Sequence, residues 1–489
     1  MMVSTQPTCT HRWSVCAACQ GEGRVRRKRR RNHQNALMDP CKACSATGIL
    51  PKTGEDKQTA NKRTLRVAII GGGIGGLALA SALQHRGFVE TKVYERDADY
   101  SERRQGYGLT MQQAAKQLAA LGVASLSEGI TSTKHIVHNA DGTVLGQWGM
   151  RHWVSSGTKG TDSSNKPTSK KSNNKRQNIH IARQALRHEL LEAANTMNPD
   201  TVQWNHRLID YSVDDSGVLC RFQVDGKTND EASRILETRV DLLVGADGIR
   251  SQVRQQLLQG YPLRYLACIV ILGICPLSAL GRAESTSGSS FRHLLDGETV
   301  FQTADGTTRI YMMPFSGEEY MWQLSFPIPE SVAQELSLDG ASALQQAALK
   351  RCGMWHSPVP DILTATPLEL ISGYPVYDRT ILTDIPPGPV TLIGDAAHPM
   401  SPFKGQGANQ ALLDALSLAR SLYQADVTLE EQLQTYSEEM IARTSVKVRA
   451  SAEAARFLHS EVAIQKGNVT RGAAAARVDR IGTATSGTE

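Results

Sequence analysis

The stretch Leu65-Arg66-Val67-Ala68-Ile69-Ile70-Gly71-Gly72-Gly73-Ile74-Gly75-Gly76-Leu77-Ala78-Leu79-Ala80-Ser81-Ala82-Leu83 decides the fold. An apolar strand runs directly into G-x-G-x-x-G, with Gly71, Gly73 and Gly76 at its fixed places, and then into a helix. Gly71 permits a tight turn, Gly73 lets the backbone approach a pyrophosphate, and Gly76 lets helix and strand pack closely. The helix start around Ile74 and Gly75 offers free N–H groups and partial positive charge to phosphates. A second strand, Thr91-Lys92-Val93-Tyr94, ends in Glu95 and Arg96. Glu95 stands 19 residues past Gly76, where a carboxylate accepts the two hydroxyls of an adenosine ribose. The reading is a dinucleotide-binding βαβ unit, and the motif alone does not choose FAD over NAD.

Outward from this unit the chain alternates strands and helices, the pattern of an open parallel sheet. Residues 154–178 carry almost no apolar side chain and are expected to form a flexible insertion. After Tyr261 helical periodicity fades, and short alternating segments run to about Tyr377. Among them, period two places Tyr320, Trp322, Leu324 and Phe326 on one face of a half-buried strand, a stripe read first as core and second as a roof for a pocket. Regular α/β pattern resumes at Val390. Residues 427–459 read as one or two amphipathic helices, and the last 24 residues as a loose end.

Two further stretches carry chemistry. Val390-Thr391-Leu392-Ile393-Gly394-Asp395-Ala396-Ala397-His398-Pro399 is a strand ending in an acid, followed by Pro402 to Asn409 and a helix from about Gln410. Asp241-Leu242-Leu243-Val244-Gly245-Ala246-Asp247-Gly248 is another strand ending in an acid. Carboxylates at such strand ends lie where doubly wound sheets bind ligands. With these motifs the chain resembles the class A flavoprotein monooxygenases, the p-hydroxybenzoate hydroxylase-like family, over about residues 65–460. The resemblance implies that Asp395 holds the ribitol of FAD and that the Gly405, Gly407 and Ala408 loop points N–H groups at the flavin ring. It also implies that Asp247 and Gly248 serve FAD and the nicotinamide nucleotide. Arg183, in Ile181-Ala182-Arg183-Gln184-Ala185-Leu186, matches the family's Arg-x-x-Leu helix start beside the flavin, and Gly106-Tyr107-Gly108-Leu109 is a smaller match. His398, beside Pro399 in a turn, reads as structural.

The resemblance implies an α/β fold: a Rossmann-like FAD-binding domain (64–260 and 378–425), an inserted antiparallel β-sheet substrate domain (261–377) and C-terminal helices with a loose tail (426–489), while residues 1–63 read separately as a small zinc-binding N-terminal segment. It further implies an FAD-dependent monooxygenase. NAD(P)H would reduce the flavin, and reduced flavin would form a hydroperoxide with O2 to hydroxylate or epoxidise an aromatic or conjugated small molecule. The cofactor carries the difficult step, so no catalytic side chain is required. A same-fold reductase without oxygen insertion is the alternative. No Trp-x-Trp-x-Ile-Pro halogenase signature is present, and both CxxC pairs precede the Rossmann strand, unlike those of disulfide reductases.

Those pairs, Cys16-x-x-Cys19 and Cys41-x-x-Cys44, can supply four thiolates to one zinc. Cys16 to Gly23 resembles the C-x-x-C-x-G-x-G repeat of DnaJ-type chaperones, and Cys41 to Gly48 keeps its cysteines and last glycine with Ala46 at the first. Between them runs Arg26-Arg27-Lys28-Arg29-Arg30-Arg31, a solvated loop, a nuclear or organellar address, or a contact for an anionic partner. A zinc-mediated binding protein with a flavin sensor domain is therefore a competing reading. Residues 1–63 hold 13 Lys or Arg against 4 Asp or Glu, so the net charge of +6 belongs to the tail and the remainder is slightly acidic. A nucleic-acid-binding body is excluded on that ground. The longest apolar stretch, Tyr265 to Leu280, is broken by Gly273 and Pro276 and falls short of the roughly 20 residues of a membrane span. With no secretory signal and free thiols, the expected setting is the cytoplasm.

Overall fold

A computed structural model describes residues 12–52 and 64–466, except 20–23, 27–37, 45–47, 85–88, 103–106, 112–117, 119, 124–125, 150–177, 197, 227–232, 281–292 and 423–426. The expected insertion at 154–178, apart from Asn178, and the expected loose end after 466 lie outside the described residues.

The chain begins with four short strands, β1 (Arg12–Val15), β2 (Arg24–Arg26), β3 (Met38–Pro40) and β4 (Ile49–Lys52). They pair antiparallel as β1 with β4 and β2 with β3, which draws the two CxxC turns together. The glycine motif then reads as its residue types dictate: β5 (Leu65–Ile70), α1 (Ile74–Gln84) and β6 (Val89–Tyr94). Both β5 and α1 are buried over most of their length, as a central strand and its crossover helix must be. Next come β7 (Gly108–Met111), β8 (Ile130–Ser132), β9 (Lys134–Asn139), β10 (Val144–Trp148), β11 (Asn178–Ala182) and α2 (Arg183–Asn195). They are followed by β12 (Val202–Gln203), the meander β13 (Arg207–Asp214), β14 (Gly217–Val224) and β15 (Arg234–Val240), then β16 (Leu242–Gly245) and α3 (Gln252–Leu257).

The second half holds β17 (Leu263–Pro276), β18 (Thr299–Ala304), β19 (Arg309–Ser316), β20 (Glu319–Pro327), helices α4 (Glu330–Leu338), α5 (Gly340–Cys352) and α6 (Val359–Ala365), and β21 (Ile371–Arg379). The chain returns through β22 (Val390–Leu392), α7 (Gly407–Ser421) and the single long α8 (Leu429–Phe457). Thr428 and Glu431 form a reciprocal capping box that starts α8. Helix α7 begins three residues before the expected Gln410. Helices α4 to α6 fall in a region expected to be all short strands. Leu344, Ala348 and Cys352 recur at helical spacing and are buried, so packing against the sheet secures a segment whose Gly and Ser content weakens the pattern.

Two sheets dominate. The parallel five-stranded sheet has the order β12-β6-β5-β16-β22 and the doubly wound form expected. The seven-stranded sheet, β10-β9-β18-β19-β20-β17-β21, is antiparallel except where β9 runs beside β18. Alternation along β20 separates two environments. Tyr320, Trp322, Leu324 and Phe326 belong to the core against α4 to α6, and Trp322 Nε1 donates to Thr366 Oγ1 at 2.9 Å. Met321 joins Val300 and Met313 on the opposite face, against Tyr107 and Phe315. The stripe is therefore core, and its second reading as a pocket roof is corrected by strand parity. Among the described residues no helix is long and apolar enough to cross a membrane.

Candidate cofactor site and cysteine cluster

A cavity of about 280 Å³ opens at the C-terminal ends of β5, β6, β16 and β22. Its wall takes residues from all three sequence motifs: Gly71, Gly73, Ile74 and Gly75; Glu95 and Arg96; Arg183; Asp247 and Gly248; Asp395; Gly407 and Ala408. Two expected residues are not at the wall. Gly76 sits under the first turn of α1, where a Cβ would lie 2.0 Å from the Gly71 carbonyl oxygen, and Gly405 closes the turn before α7 with left-handed backbone. His206, Arg207, Leu208, Arg250, Gln252, Ile393 and Ala411 also line it. Ile393 lies within the quoted Val390 to Pro399 stretch without having been singled out, Gln252 and Ala411 sit near the starts of α3 and α7, and no spacing in the sequence marks the other four.

The glycine loop is fixed from two sides. Glu95 is buried, and its carboxylate accepts the Gly72 N–H at 2.6 Å and the Asp97 N–H at 3.1 Å. Arg187, also buried, donates Nε–H to the Gly72 carbonyl at 2.8 Å and stacks its guanidinium 4.9 Å from the Tyr100 ring. Gly71 has φ of +107°, and a Cβ there would lie 2.6 Å from the Ala246 carbonyl oxygen, so only glycine lets the loop cross β16 this closely. At Gly73 a Cβ would meet nothing within 4 Å, so its side opens onto the cavity.

Asp247 Oδ2 caps α3 by accepting the Gln252 N–H at 2.7 Å, while Oδ1 is buried with no hydrogen-bond partner among the described residues. Burial raises its pKa, with its hydrogen bonds opposing. Such an orphaned acceptor at a cavity wall calls for a donor from a ligand, and ribityl or ribose hydroxyls are donors of that kind. Asp395 opens into the cavity between dense walls that raise its pKa, opposed by Arg183 and His398. Arg183 stacks 5.3 Å from the ring of Tyr107. Arg254, which no motif marked, donates Nη1–H to the carbonyls of Ala396 (2.9 Å) and Ala397 (2.6 Å) and ties α3 to the Asp395 turn. His398 is buried and bonded to Asp414, in keeping with a structural role. Polar donors, carboxylates and an open glycine floor at one cavity fit a dinucleotide with a sugar-alcohol link.

The four tail cysteines form a second centre. Cys16, Cys19, Cys41 and Cys44 are buried, and their Sγ atoms lie within 4.8 Å of one another. Cys16 and Cys41 Sγ are 3.9 Å apart, and Cys19 and Cys44 Sγ 3.6 Å. A tetrahedral zinc with Zn–S bonds of about 2.3 Å sets its sulfurs about 3.8 Å apart. The retained Gly48 donates its N–H to Cys44 Sγ at 3.2 Å. The remaining described thiols are buried singly, and burial pushes Cys220 and Cys268 up to about 12.

Comparison with known proteins adds kinship to this geometry. A family model described as FAD binding domain matches residues 64–451. The aurachin C monooxygenase/isomerase of Stigmatella aurantiaca is 29% identical over 365 residues, covering 74% of this chain and 81% of that one. The phenazine 1,6-dicarboxylic acid hydroxylase PhzS of Lysobacter antibioticus is 29% identical over 402 residues, covering 79% and 89%. Among solved structures, HpxO of Klebsiella pneumoniae complexed with FAD and uric acid superposes with a TM-score of 0.63 at 22% identity, covering 81% of this chain and 89% of that one, which is a likeness of fold.

Proposed function

The chain belongs to the FAD binding domain family and is an FAD-dependent monooxygenase, and from that premise we propose that it oxidises an aromatic or conjugated small molecule with O2 and NAD(P)H. FAD, once reduced by the nicotinamide nucleotide, supplies the activation of O2 and the transfer of one oxygen atom. The chain's own residues hold and orient it. The N–H groups at Gly73, Ile74 and Gly75 receive the pyrophosphate at the start of α1, and Glu95 and Arg96 take the adenosine end. Asp247, Gly248 and Arg183 hold the middle of the cofactor, Asp395 accepts from the ribitol, and Gly407 and Ala408 turn the positive end of α7 toward the flavin ring.

The observation that carries this reading is that three motifs separated by more than 300 residues of sequence (71 to 408) line one cavity. Beside Arg183 and Tyr107 the contact between β7 and the seven-stranded sheet is apolar. Gly108 presses against Met313, Met321 and Phe315, so β7 and the seven-stranded sheet meet with little room for water. Excluding water there favours oxygen transfer over wasteful release of hydrogen peroxide. The test is oxygen uptake by purified protein with NADPH or NADH during a screen of aromatic compounds. Substrate-dependent uptake coupled to an oxygenated product is expected, and NAD(P)H oxidation coupled to a reduced product instead would make the protein a reductase. Asp395→Ala is expected to weaken FAD binding by about tenfold or more, through loss of a charged hydrogen bond. Full flavin occupancy of that variant after desalting would contradict Asp395's role.

The second centre is proposed to bind one zinc through Cys16, Cys19, Cys41 and Cys44, carried by the match between the sulfur spacing and a tetrahedral site. Near one equivalent of zinc in freshly purified, reduced protein is expected. Less than about a tenth of an equivalent is the opposing result. Deleting residues 1–60 should leave turnover unchanged, because the tail contributes no residue to the cavity wall among those described.

A further inference from the structure

Behind the cavity lies a buried ionic knot centred on Asp414, a residue that neither the family motifs nor the proposed cofactor contacts include. Asp414, on α7, is fully buried, and three groups, two from the Asp395 turn and one from α8, converge on its carboxylate. Oδ2 accepts the backbone N–H of Gly394 at 2.8 Å and stands 2.6 Å from His398 Nε2. Oδ1 accepts from Arg443 Nη2 at 2.7 Å, and Arg443 Nη1 donates to Gln410 Oε1, one turn before Asp414 on the same helix, at 2.7 Å. Gly394 and His398 bracket Asp395: the Gly394 carbonyl accepts the N–H groups of Ala397 and His398, both at 2.9 Å, closing the turn on itself. The turn is thus held at its first and last residues by one carboxylate, and Asp395 is the residue between them that opens into the cavity.

We propose that Asp414 is a positioning residue for the flavin site, acting on FAD through Gly394 and His398 by fixing the turn that aims Asp395. The inference rests on the flavin reading above and goes beyond it in assigning a residue with no place at the cavity wall. A buried carboxylate is stable in such a place only with its charge met, and Arg443 on α8 meets it. The long C-terminal helix is thereby joined to cofactor binding. Two further bonds brace the same loop from α8: Tyr436 Oη–H donates to the Leu392 carbonyl at 2.9 Å, and Ser401 Oγ–H donates to the Ser451 carbonyl at 2.8 Å.

The test is a titration of FAD into the flavin-stripped full-length protein, followed by quenching of flavin fluorescence, with the apoprotein's unfolding midpoint recorded for each variant. Wild-type protein that takes up no FAD overturns the flavin reading itself, and the comparison below applies to protein that does. Asp414→Asn is expected to raise the Kd for FAD about tenfold or more, with kcat recovering at saturating FAD. A wild-type Kd within about twofold overturns the proposal, as does a lowered apoprotein midpoint with unchanged Kd, which is the mark of a purely structural residue. Should Asp414→Asn not accumulate as folded protein, His398→Gln is measured in its place. A Kd raised about threefold or more supports the clamp, and an unchanged Kd overturns it.

Discussion

Neighbouring glycines of one motif do different work, and alanine separates them. At Gly76 a methyl would collide with the Gly71 carbonyl oxygen, which is backbone and cannot swing aside. Gly76→Ala is expected to cost about 2 kcal/mol in a denaturant titration of the apoprotein. At Gly73 the methyl enters open cavity, so Gly73→Ala should leave apoprotein stability within about 0.5 kcal/mol while weakening FAD binding. Equal losses of apoprotein stability in the two variants would contradict this division. The glycines and the acids at strand ends were legible because their spacing is dictated by a phosphate, a ribose and a sheet edge. Arg187, Arg254 and Asp414 were not. Each is one charged residue within a helical pattern that nothing local marks, and its meaning comes from a backbone carbonyl more than 100 residues away (Gly72, Ala396) or a turn placed by another strand (Gly394).

At the scale of elements, parity along β20 assigns adjacent residues to different tasks. Trp322 packs against α4 to α6 and bonds Thr366, whereas Met321 faces Gly108 and Met313. Trp322→Phe removes the indole donor from a buried pair and should cost about 1–2 kcal/mol of stability with kcat/KM little changed. Met321→Leu nearly conserves volume, costs less than about 1.5 kcal/mol, and should shift KM for the proposed aromatic or conjugated substrate. Steady-state kinetics and unfolding measured on both variants check the pair, and a kinetic effect confined to Trp322→Phe would reverse the assignment. The alternation itself was visible in sequence, but which face meets which layer was not. That depends on helices α4 to α6 covering one side, and on β9 reaching β18 across more than 150 residues (139 to 299) to pair in parallel.

For the molecule as a whole, buried imidazoles make stability fall as pH drops below neutral. Burial lowers the pKa of His138 to about 3, with His356 and His293 adding to the effect, and burial lowers that of His459 to about 4. Both are lowered from 6.5, so the unfolded chain binds protons that the folded chain refuses. Their contribution is complete above about pH 6.5 and is lost progressively as pH falls toward 3 to 4. Denaturant midpoints should therefore decline from pH 7 to pH 5, less steeply in His459→Asn, and a flat profile would contradict the burial argument. On the proposed function, distant stretches of chain fold around one noncovalent FAD. The direct measurement is the visible absorption spectrum and flavin content of the protein after incubation with FAD and gel filtration. Oxidised-flavin absorbance at about one FAD per chain, released intact on denaturation, is expected. Protein that elutes colourless after that incubation would contradict it.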